Sequence, residues 1–128
     1  MSKRLLIVDD EDDIREVAKV SLETMAGWEV IQANCGREGL AAAARESPDA
    51  ILLDVMMPDM DGPTTFQCLQ RQETTRGIPV ILLTAKVRSA DRSRFADLGV
   101  KAVISKPFDP LTLADEVAAA LGWPSPNA

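Results

Sequence analysis

Histidine is absent from the 128-residue sequence, and this absence narrows its chemistry more than any other feature of composition. Without an imidazole the chain cannot build a Ser-His-Asp or Cys-His catalytic site, pass a phosphoryl group through a histidine of its own, or hold a metal by histidine ligands. Any metal bound by this chain is expected to have oxygen ligands, which favour hard cations.

Cysteine and long apolar runs are also scarce. The two cysteines, Cys35 and Cys68, are in no Cys-x-x-Cys spacing, so neither a disulfide framework nor a zinc site is expected, and two reduced thiols are typical of the cytosol. The N-terminal apolar run, 5–8, ends in two acids and is too short for a signal peptide or a membrane span. We therefore expect a cytoplasmic protein with no membrane insertion.

Basic residues are outnumbered by acidic ones, 14 to 20, which gives a net charge of −6. No basic stripe is available to neutralise phosphates, so direct nucleic-acid binding is not expected. The length fits one domain, which we place at residues 1–122. The stretch 123–128, "WPSPNA", contains two prolines and is expected to be a disordered tail or the start of a linker.

Short apolar runs alternate with helical patterns along the chain. The runs are continuous rather than alternating, which is typical of strands covered on both faces of a parallel sheet. Asp109 and Pro110 predict the N-cap and first position of a last helix over 109–122. The five strand-length runs are at 4–10, 28–33, 50–55, 79–85 and 101–107. Five βα units predict an α/β fold with a doubly wound parallel sheet.

Polar side chains stand where four of these strands end. Asp9 and Asp10 follow the first strand, whereas Asp54, Thr84 and Lys106 end the third, fourth and fifth. In an open α/β sheet, ligands bind beyond the carboxyl ends of the strands, so these groups are expected to share one crevice. Three adjacent carboxylates require a cation, and Mg²⁺ is the expected one.

The same set of groups suits phosphoryl transfer, in which charge neutralisation and positioning perform most of the catalysis. Lys106 supplies a point charge for a phosphoryl oxygen, and Thr84 supplies a hydroxyl donor. Asp54 is expected to be the nucleophile that forms an acyl phosphate.

Four motifs together carry a family resemblance. The segments "LIVDDE" (6–11), "LLDVMMPDMDG" (52–62), "VILLTA" (80–85) and "SKPF" (105–108) occur in order and at the spacing of the receiver domain of two-component response regulators, including the single-domain chemotaxis type. The chain resembles this family over nearly its whole length. The resemblance implies a flavodoxin-like (βα)5 fold with a five-stranded sheet in the order 2-1-3-4-5.

The resemblance also implies a set of roles. Asp54 would accept a phosphoryl group from the phosphohistidine of a sensor histidine kinase or a histidine phosphotransfer protein. Asp10, Asp54 and the backbone carbonyl of Met56 would bind Mg²⁺, with Asp9 acting through water. Thr84 and Lys106 would hold the phosphoryl group, and the bond from Lys106 to its proline would be cis. The chain would be a phosphorylation switch rather than an enzyme with a separate substrate.

One position departs from the family pattern. Receiver domains often carry Tyr or Phe three residues before the lysine, and here that residue is Val103. Because the chain has no tyrosine and its phenylalanines lie elsewhere, an aromatic switch at this position is excluded. We expect the 85–108 face to contact a downstream protein nonetheless, and a phosphorylation-dependent dimer is a further possibility.

Two alternatives stay open at this stage. The chain could be the N-terminal receiver part of a larger regulator with a DNA-binding or enzymatic output domain. It could instead be a small phosphatase or a flavodoxin-like nucleotide or flavin binder. The adjacent acids in "VDDEDDI" are not the DxD motif of a haloacid-dehalogenase-type hydrolase, and the segment contains no glycine-rich loop for a nucleotide.

Overall fold

Strands and helices alternate from one end of the described chain to the other. The computed structural model describes residues 3–85 and 89–126, with residues 89–92 described by their backbone. Its strands are β1 (Arg4–Val8), β2 (Glu29–Ala33), β3 (Ala50–Asp54), β4 (Val80–Thr84) and β5 (Ala102–Ser105). Its helices are α1 (Asp12–Ala26), α2 (Gly36–Glu46), α3 (Gly62–Arg71), α4 (Ser89–Leu98) and α5 (Leu113–Leu121). Among these described residues, no helix combines the length and the apolar character needed to cross a bilayer.

All strand pairs are parallel, and the order across the sheet is β2-β1-β3-β4-β5. This confirms the predicted α/β fold, the five-stranded sheet and its order. β1 and β3 lie inside the sheet with neighbours on both sides, so the strand order reverses at β1. The carboxyl ends of β1, β3, β4 and β5 therefore lie along one edge of the sheet.

The continuous apolar runs fill two separate layers, one on each face of the sheet. Along β1, Leu5 and Ile7 pack into the layer that contains α1 and α5, whereas Leu6 and Val8 pack into the opposite layer. The central strands follow the same alternation and are fully buried. Burial on both faces explains why these strands lack an alternating polar pattern.

The last helix begins later than the sequence predicts. Asp109 was expected to be the N-cap of α5, but α5 starts at Leu113, and the residue before it makes no side-chain cap. The Asp109 carboxylate instead accepts a hydrogen bond from the Leu111 N–H at 2.9 Å and closes a turn ahead of the helix. Local side-chain bonding of Asp two residues onward explains the difference. The helix ends as expected at Gly122, in the left-handed region at φ 71°.

Trp123 packs onto the domain after α5. Its ring meets that of Trp28 edge to face, with the centroids 5.3 Å apart, and the Lys3 ammonium lies 4.8 Å from the Trp123 centroid. Both rings contact the α1 and α5 layer of the core. The start of the predicted tail at 123 therefore contacts the fold, and residues 127–128 lie outside the described part of the chain.

Candidate functional site at the carboxyl edge of the sheet

Four strand ends bring polar groups to one edge of the sheet. Asp9 follows β1, Asp54 and Thr84 are the last residues of β3 and β4, and Lys106 follows β5. In the ladder, Asp54 pairs with Leu83, so β3 and β4 end within one residue of each other. The parallel register therefore places these groups side by side, as the sequence predicts.

The three predicted acids converge on one point. Each of Asp9, Asp10 and Asp54 places a carboxylate oxygen within 4.8 Å of the others. Asp9 is fully buried and Asp54 is 2% exposed, whereas Asp10 faces solvent. The cluster is thus anchored in the sheet and open to water on one side.

Lys106 joins two of these acids. Its ammonium donates to Asp9 Oδ2 at 2.9 Å and to Asp54 Oδ1 at 3.1 Å, and its backbone N–H donates to the Thr84 carbonyl at 2.8 Å. Desolvation lowers the pKa of Lys106, but the hydrogen bonds to Asp9 and then to Asp54 outweigh it and leave that pKa above its ordinary value. The lysine therefore stays charged between the carboxylates.

Asp54 differs from an ordinary surface carboxyl in its proton affinity. Burial, followed by the neighbouring negative charge of Asp9, raises its pKa to about 6, although Lys106 and the Met56 N–H both oppose the shift. The Met56 N–H lies 3.4 Å from Asp54 Oδ1. At neutral pH the group is ionised, and it is more basic than a solvated aspartate, which suits a nucleophile.

The loop after β3 is held close to Asp54. A Cβ added at Gly62 would lie 2.5 Å from the Asp54 carbonyl oxygen and 2.9 Å from the Val55 Cα, so only glycine fits without a shift of the backbone. Asp61 begins α3 as its N-cap, accepting from the Thr64 N–H at 2.8 Å. The loop between Asp54 and α3 is therefore short and fixed at both ends.

The donor set at this edge fits a hard divalent cation. Three carboxylates supply oxygen ligands, and one of them is open to solvent, which suits Mg²⁺ because this ion keeps several bound waters. Lys106 contributes one positive charge and contacts two of the three acids. Negative charge therefore remains for a metal cation to neutralise. The residues present are therefore compatible with the predicted Mg²⁺ site.

Comparison with known proteins identifies the family. The family model described as "Response regulator receiver domain" matches residues 5–118. The chain belongs to this family. The chain is thus a receiver domain of two-component response regulators, and the resemblance predicted from the four motifs is confirmed.

Curated relatives of this receiver domain are longer proteins. It is 43% identical over 106 residues to the DNA-binding dual master transcriptional regulator RpaA of Synechocystis sp., covering 83% of this chain and 44% of RpaA. It is 39% identical over 127 residues to the phosphate regulon transcriptional regulatory protein PhoB of Pseudomonas aeruginosa, covering 99% of this chain and 55% of PhoB. The chain therefore spans about half the length of these relatives.

Solved structures share its fold over almost the whole length. The chemotaxis response regulator CheY4 of Vibrio cholerae superposes with a TM-score of 0.87 at 31% identity, covering 94% of this chain and 99% of that one. The receiver domain of the sensor histidine kinase PA1611 from Pseudomonas aeruginosa superposes with a TM-score of 0.83 at 28% identity, covering 95% and 99%. That second structure has a magnesium ion coordinated in its active-site cleft.

The structure also locates the other residues to which the resemblance assigns a role. The Lys106–Pro107 peptide bond is cis, as the resemblance implies. Met56 is 76% exposed and lies two residues after Asp54. Val103 is half-buried and packs against the layer of the core opposite α1. Residues 86–88 of the predicted 85–108 face lie outside the described part of the chain.

Sequence reasoning missed one acid that supports the loop after the site. The two carboxylate oxygens of Asp59 accept hydrogen bonds from the Gly36 and Arg37 N–H groups at 3.1 Å each, and they cap α2 from the loop after β3. Desolvation opposes the shift, but the bonds from Arg37 and then Gly36 lower the pKa of Asp59 below its ordinary value. No local pattern signals this role, because the capped helix lies earlier in the chain.

Proposed function

We propose that this receiver domain accepts a phosphoryl group on Asp54 from the phosphohistidine of a sensor histidine kinase or a histidine phosphotransfer protein in the cytoplasm. The observation that carries the proposal is the pairing at the sheet edge. A buried Asp54 carboxylate lies 3.1 Å from the Lys106 ammonium, with two further carboxylates within 4.8 Å. Membership of the receiver family and the absence of histidine from this chain support a donor on another protein.

The residues of the chain account for the transfer step. An Asp54 oxygen attacks phosphorus, the P–O bond forms, and the P–N bond of the donor breaks with its electron pair kept by the imidazole nitrogen. Lys106 is placed to exchange its bond with Asp54 for one with a phosphoryl oxygen, and the Thr84 hydroxyl is proposed to donate to another. Such a transfer is roughly in line, so the donor has to approach Asp54 from the side of the site that is open to solvent. That is the side of the exposed Asp10.

Asp9, Asp10, Asp54 and the Met56 carbonyl are proposed to hold Mg²⁺. When bound, this ion would neutralise charge on the carboxylates and on the transferred phosphoryl oxygens. The acidic cluster of this chain and the magnesium in the related PA1611 receiver support this assignment.

Incubation with acetyl phosphate tests the proposal. We expect intact-mass spectra to show one added phosphoryl group in the presence of Mg²⁺ and none with EDTA. Asp54→Asn should abolish the addition. Asp49→Asn is the matched control, because Asp49 lies one residue before the strand that Asp54 ends, at the opposite edge of the sheet. Loss of uptake in both variants, or uptake that survives Asp54→Asn, would contradict the assignment.

The face around β5 is proposed to carry the output. β5 is an outer strand of the described sheet, and two grooves of about 440 and 200 Å³ flank it and share Ala102 and Val103 in their walls. A half-buried valine between two grooves leaves space that a partner side chain can enter. Output then proceeds by movement of the backbone around β5, since position 103 carries a valine and not an aromatic ring.

Beryllofluoride, which mimics a bound phosphoryl group, tests the output surface. We expect amide chemical shifts to change at Ala102, Val103 and Lys106, whereas Glu29 and Val30 in β2 at the other side of the sheet should change little. Sedimentation of the same samples reports whether the switch drives a dimer. Unchanged shifts along β5 with clear changes at Asp54 would contradict the proposed output face.

Output through an attached domain is the second candidate. It is favoured by the relatives RpaA and PhoB, which are named as transcriptional regulators and are about twice as long as this chain. The length of the natural open reading frame decides between the two. A reading frame that continues into a DNA-binding or enzymatic domain supports the second candidate.

A further inference from the structure

Arg15 reaches the acidic site from α1 with all three of its nitrogens engaged. Its Nη1 donates to the Asp9 carbonyl at 2.6 Å, and its Nε donates to Gln32 Oε1 on β2 at 3.2 Å. Its Nη2 donates to Asp12 in the first turn of α1. The side chain is 12% exposed. The guanidinium thus joins β2, the loop after β1 and the start of α1.

The bond from Arg15 completes the hydrogen bonding of Asp9, the buried acid that also contacts Lys106. Asp9 Oδ1 accepts from the Glu11 N–H at 2.8 Å, and Asp9 Oδ2 accepts from Lys106 at 2.9 Å. The Asp9 N–H donates to the Ala33 carbonyl at 3.1 Å. With the carbonyl held by Arg15, every polar atom of Asp9 has a partner, so its orientation is set on all sides. The exposed Asp10 follows directly on the same backbone.

We propose that Arg15 is a positioning residue for the divalent cation site: it holds the Asp9 carbonyl so that Asp9 and Asp10 face Asp54. This inference rests on the proposed function, since it assigns a role toward the Mg²⁺ that the function requires. Residues that hydrogen-bond to metal ligands and orient them contribute substantially to metal affinity, and their loss typically lowers that affinity tenfold or more.

Charge and geometry act in opposite directions here, and this makes the inference testable. Arg15 carries a positive charge close to a site for a cation, so by charge alone its removal would tighten Mg²⁺ binding. By geometry its removal would loosen the binding, because the loop that carries Asp9 and Asp10 loses its fork-shaped anchor. Lysine at this position keeps the charge but cannot make three bonds in the same plane.

The experiment is a Mg²⁺ titration of the whole chain, followed by amide chemical shifts near the site. We expect Arg15→Lys to weaken Mg²⁺ binding about tenfold. Gln32→Leu keeps the charge of Arg15, removes one of its three partners and should weaken binding roughly twofold to threefold. Arg15→Ala should bind more weakly than wild type despite the lost positive charge.

Arg4 supplies the matched control. It too is a guanidinium with several partners: it donates to the Glu46 carbonyl and Glu46 Oε1 at 2.8 Å each and pairs with Glu29 at 3.3 Å, at the opposite end of β1. Arg4→Lys should lower the melting temperature and leave the Mg²⁺ affinity unchanged. If Arg15 contributed only to folding, Arg15→Lys would behave like Arg4→Lys: its melting temperature would fall and its Mg²⁺ affinity would stay unchanged.

The outcomes separate this inference from the proposed function. A wild-type chain that takes up Mg²⁺ and phosphoryl, together with an Arg15→Lys variant of unchanged affinity, overturns the role of Arg15 alone. Tighter binding by Arg15→Ala overturns it as well. A wild-type chain that shows no Mg²⁺ titration overturns the proposed function and the role of Arg15 together.

Discussion

The Lys106 ammonium lies between Asp9 and Asp54, 2.9 Å from one carboxylate and 3.1 Å from the other, and so ties the end of β5 to the ends of β1 and β3. Both acids are buried and carry like charge. The positive charge of the lysine therefore offsets the repulsion between the two carboxylates.

Replacement of Lys106 by methionine should destabilise the fold in a pH-dependent way. The change leaves two buried carboxylates without their cation, which we expect to cost about 3 kcal/mol at pH 8. At pH 5 the cost should shrink, because Asp54 then holds a proton. Urea unfolding in EDTA measures both values, and Lys101→Met, at an exposed position, serves as the control. An equal cost at the two pH values would contradict this explanation.

Replacement of Asp54 by asparagine should stabilise the metal-free fold at neutral pH. The folded state raises the pKa of Asp54 to about 6, mainly by burial, so its ionisation is less favourable there than in the unfolded chain. Since one pKa unit corresponds to about 1.4 kcal/mol, we expect a gain of roughly 1–3 kcal/mol at pH 8.

The sign of this pH dependence follows from the raised pKa. Protonation favours the folded state, so the destabilisation by wild-type Asp54 begins to shrink as the pH falls below about 6 and is gone only below the ordinary pKa of 3.8. The advantage of Asp54→Asn should therefore be clearly smaller at pH 5 than at pH 8 and should vanish only below about pH 4. Asp97→Asn, at an exposed position, serves as the control for the removal of one carboxylate. A stability gain that stays constant with pH would refute the raised pKa.

A methyl group at Gly62 should damage the loop beside the site. The added Cβ would meet the Asp54 carbonyl at 2.5 Å, so the backbone on one side has to move. We expect Gly62→Ala to cost about 2–3 kcal/mol and to reduce phosphoryl uptake. Gly77→Ala is the control, because no atom lies within 4 Å of its added Cβ. Equal stability of the two variants would count against the close approach.

Loss of the Asp59 carboxylate should weaken α2. It satisfies the N–H groups of Gly36 and Arg37, and Ala in its place should cost about 1 kcal/mol, as for other caps. Thermal unfolding of Asp59→Ala and Asp97→Ala gives the comparison. Slower hydrogen exchange at Gly36 in wild type than in Asp59→Ala would locate the effect, and identical exchange would exclude it.

Trp123 should contribute to stability although it follows the last helix. Its edge-to-face contact with Trp28 and the contact with Lys3 predict a cost of about 1–2 kcal/mol for Trp123→Ala. Pro124→Ala, at an exposed position, should be nearly neutral. Guanidinium unfolding measures both, and equal midpoints for the two variants would show that the ring contact adds nothing.

The sequence predicts the sheet and the site better than it predicts the supporting contacts. The site can be predicted from apolar runs that each end in a polar residue, here Asp9, Asp54, Thr84 and Lys106. Parallel strands bring these ends to one edge of the sheet, and this does not depend on where the helices begin or end. The predicted start of α5 was wrong, because whether Asp109 caps a helix or closes a turn depends on the path of the chain after β5.

The tertiary contacts of Arg15 and Asp59 were missed for a related reason. Asp59 binds N–H groups more than 20 residues earlier in the chain, and Arg15 binds the Asp9 carbonyl on the preceding loop and Gln32 on β2. Only the packed structure shows these contacts, to the backbone carbonyl of Asp9 and to the N–H groups that begin α2.

The most direct test of the central claim is to locate the phosphoryl group. After reaction with acetyl phosphate and Mg²⁺, borohydride reduction converts an aspartyl phosphate to homoserine, which peptide mass spectrometry can assign to one position. We predict homoserine at residue 54 and aspartate unchanged at residues 9 and 10. Homoserine at either of those positions, or a phosphate that resists borohydride on a serine or threonine, would contradict the account.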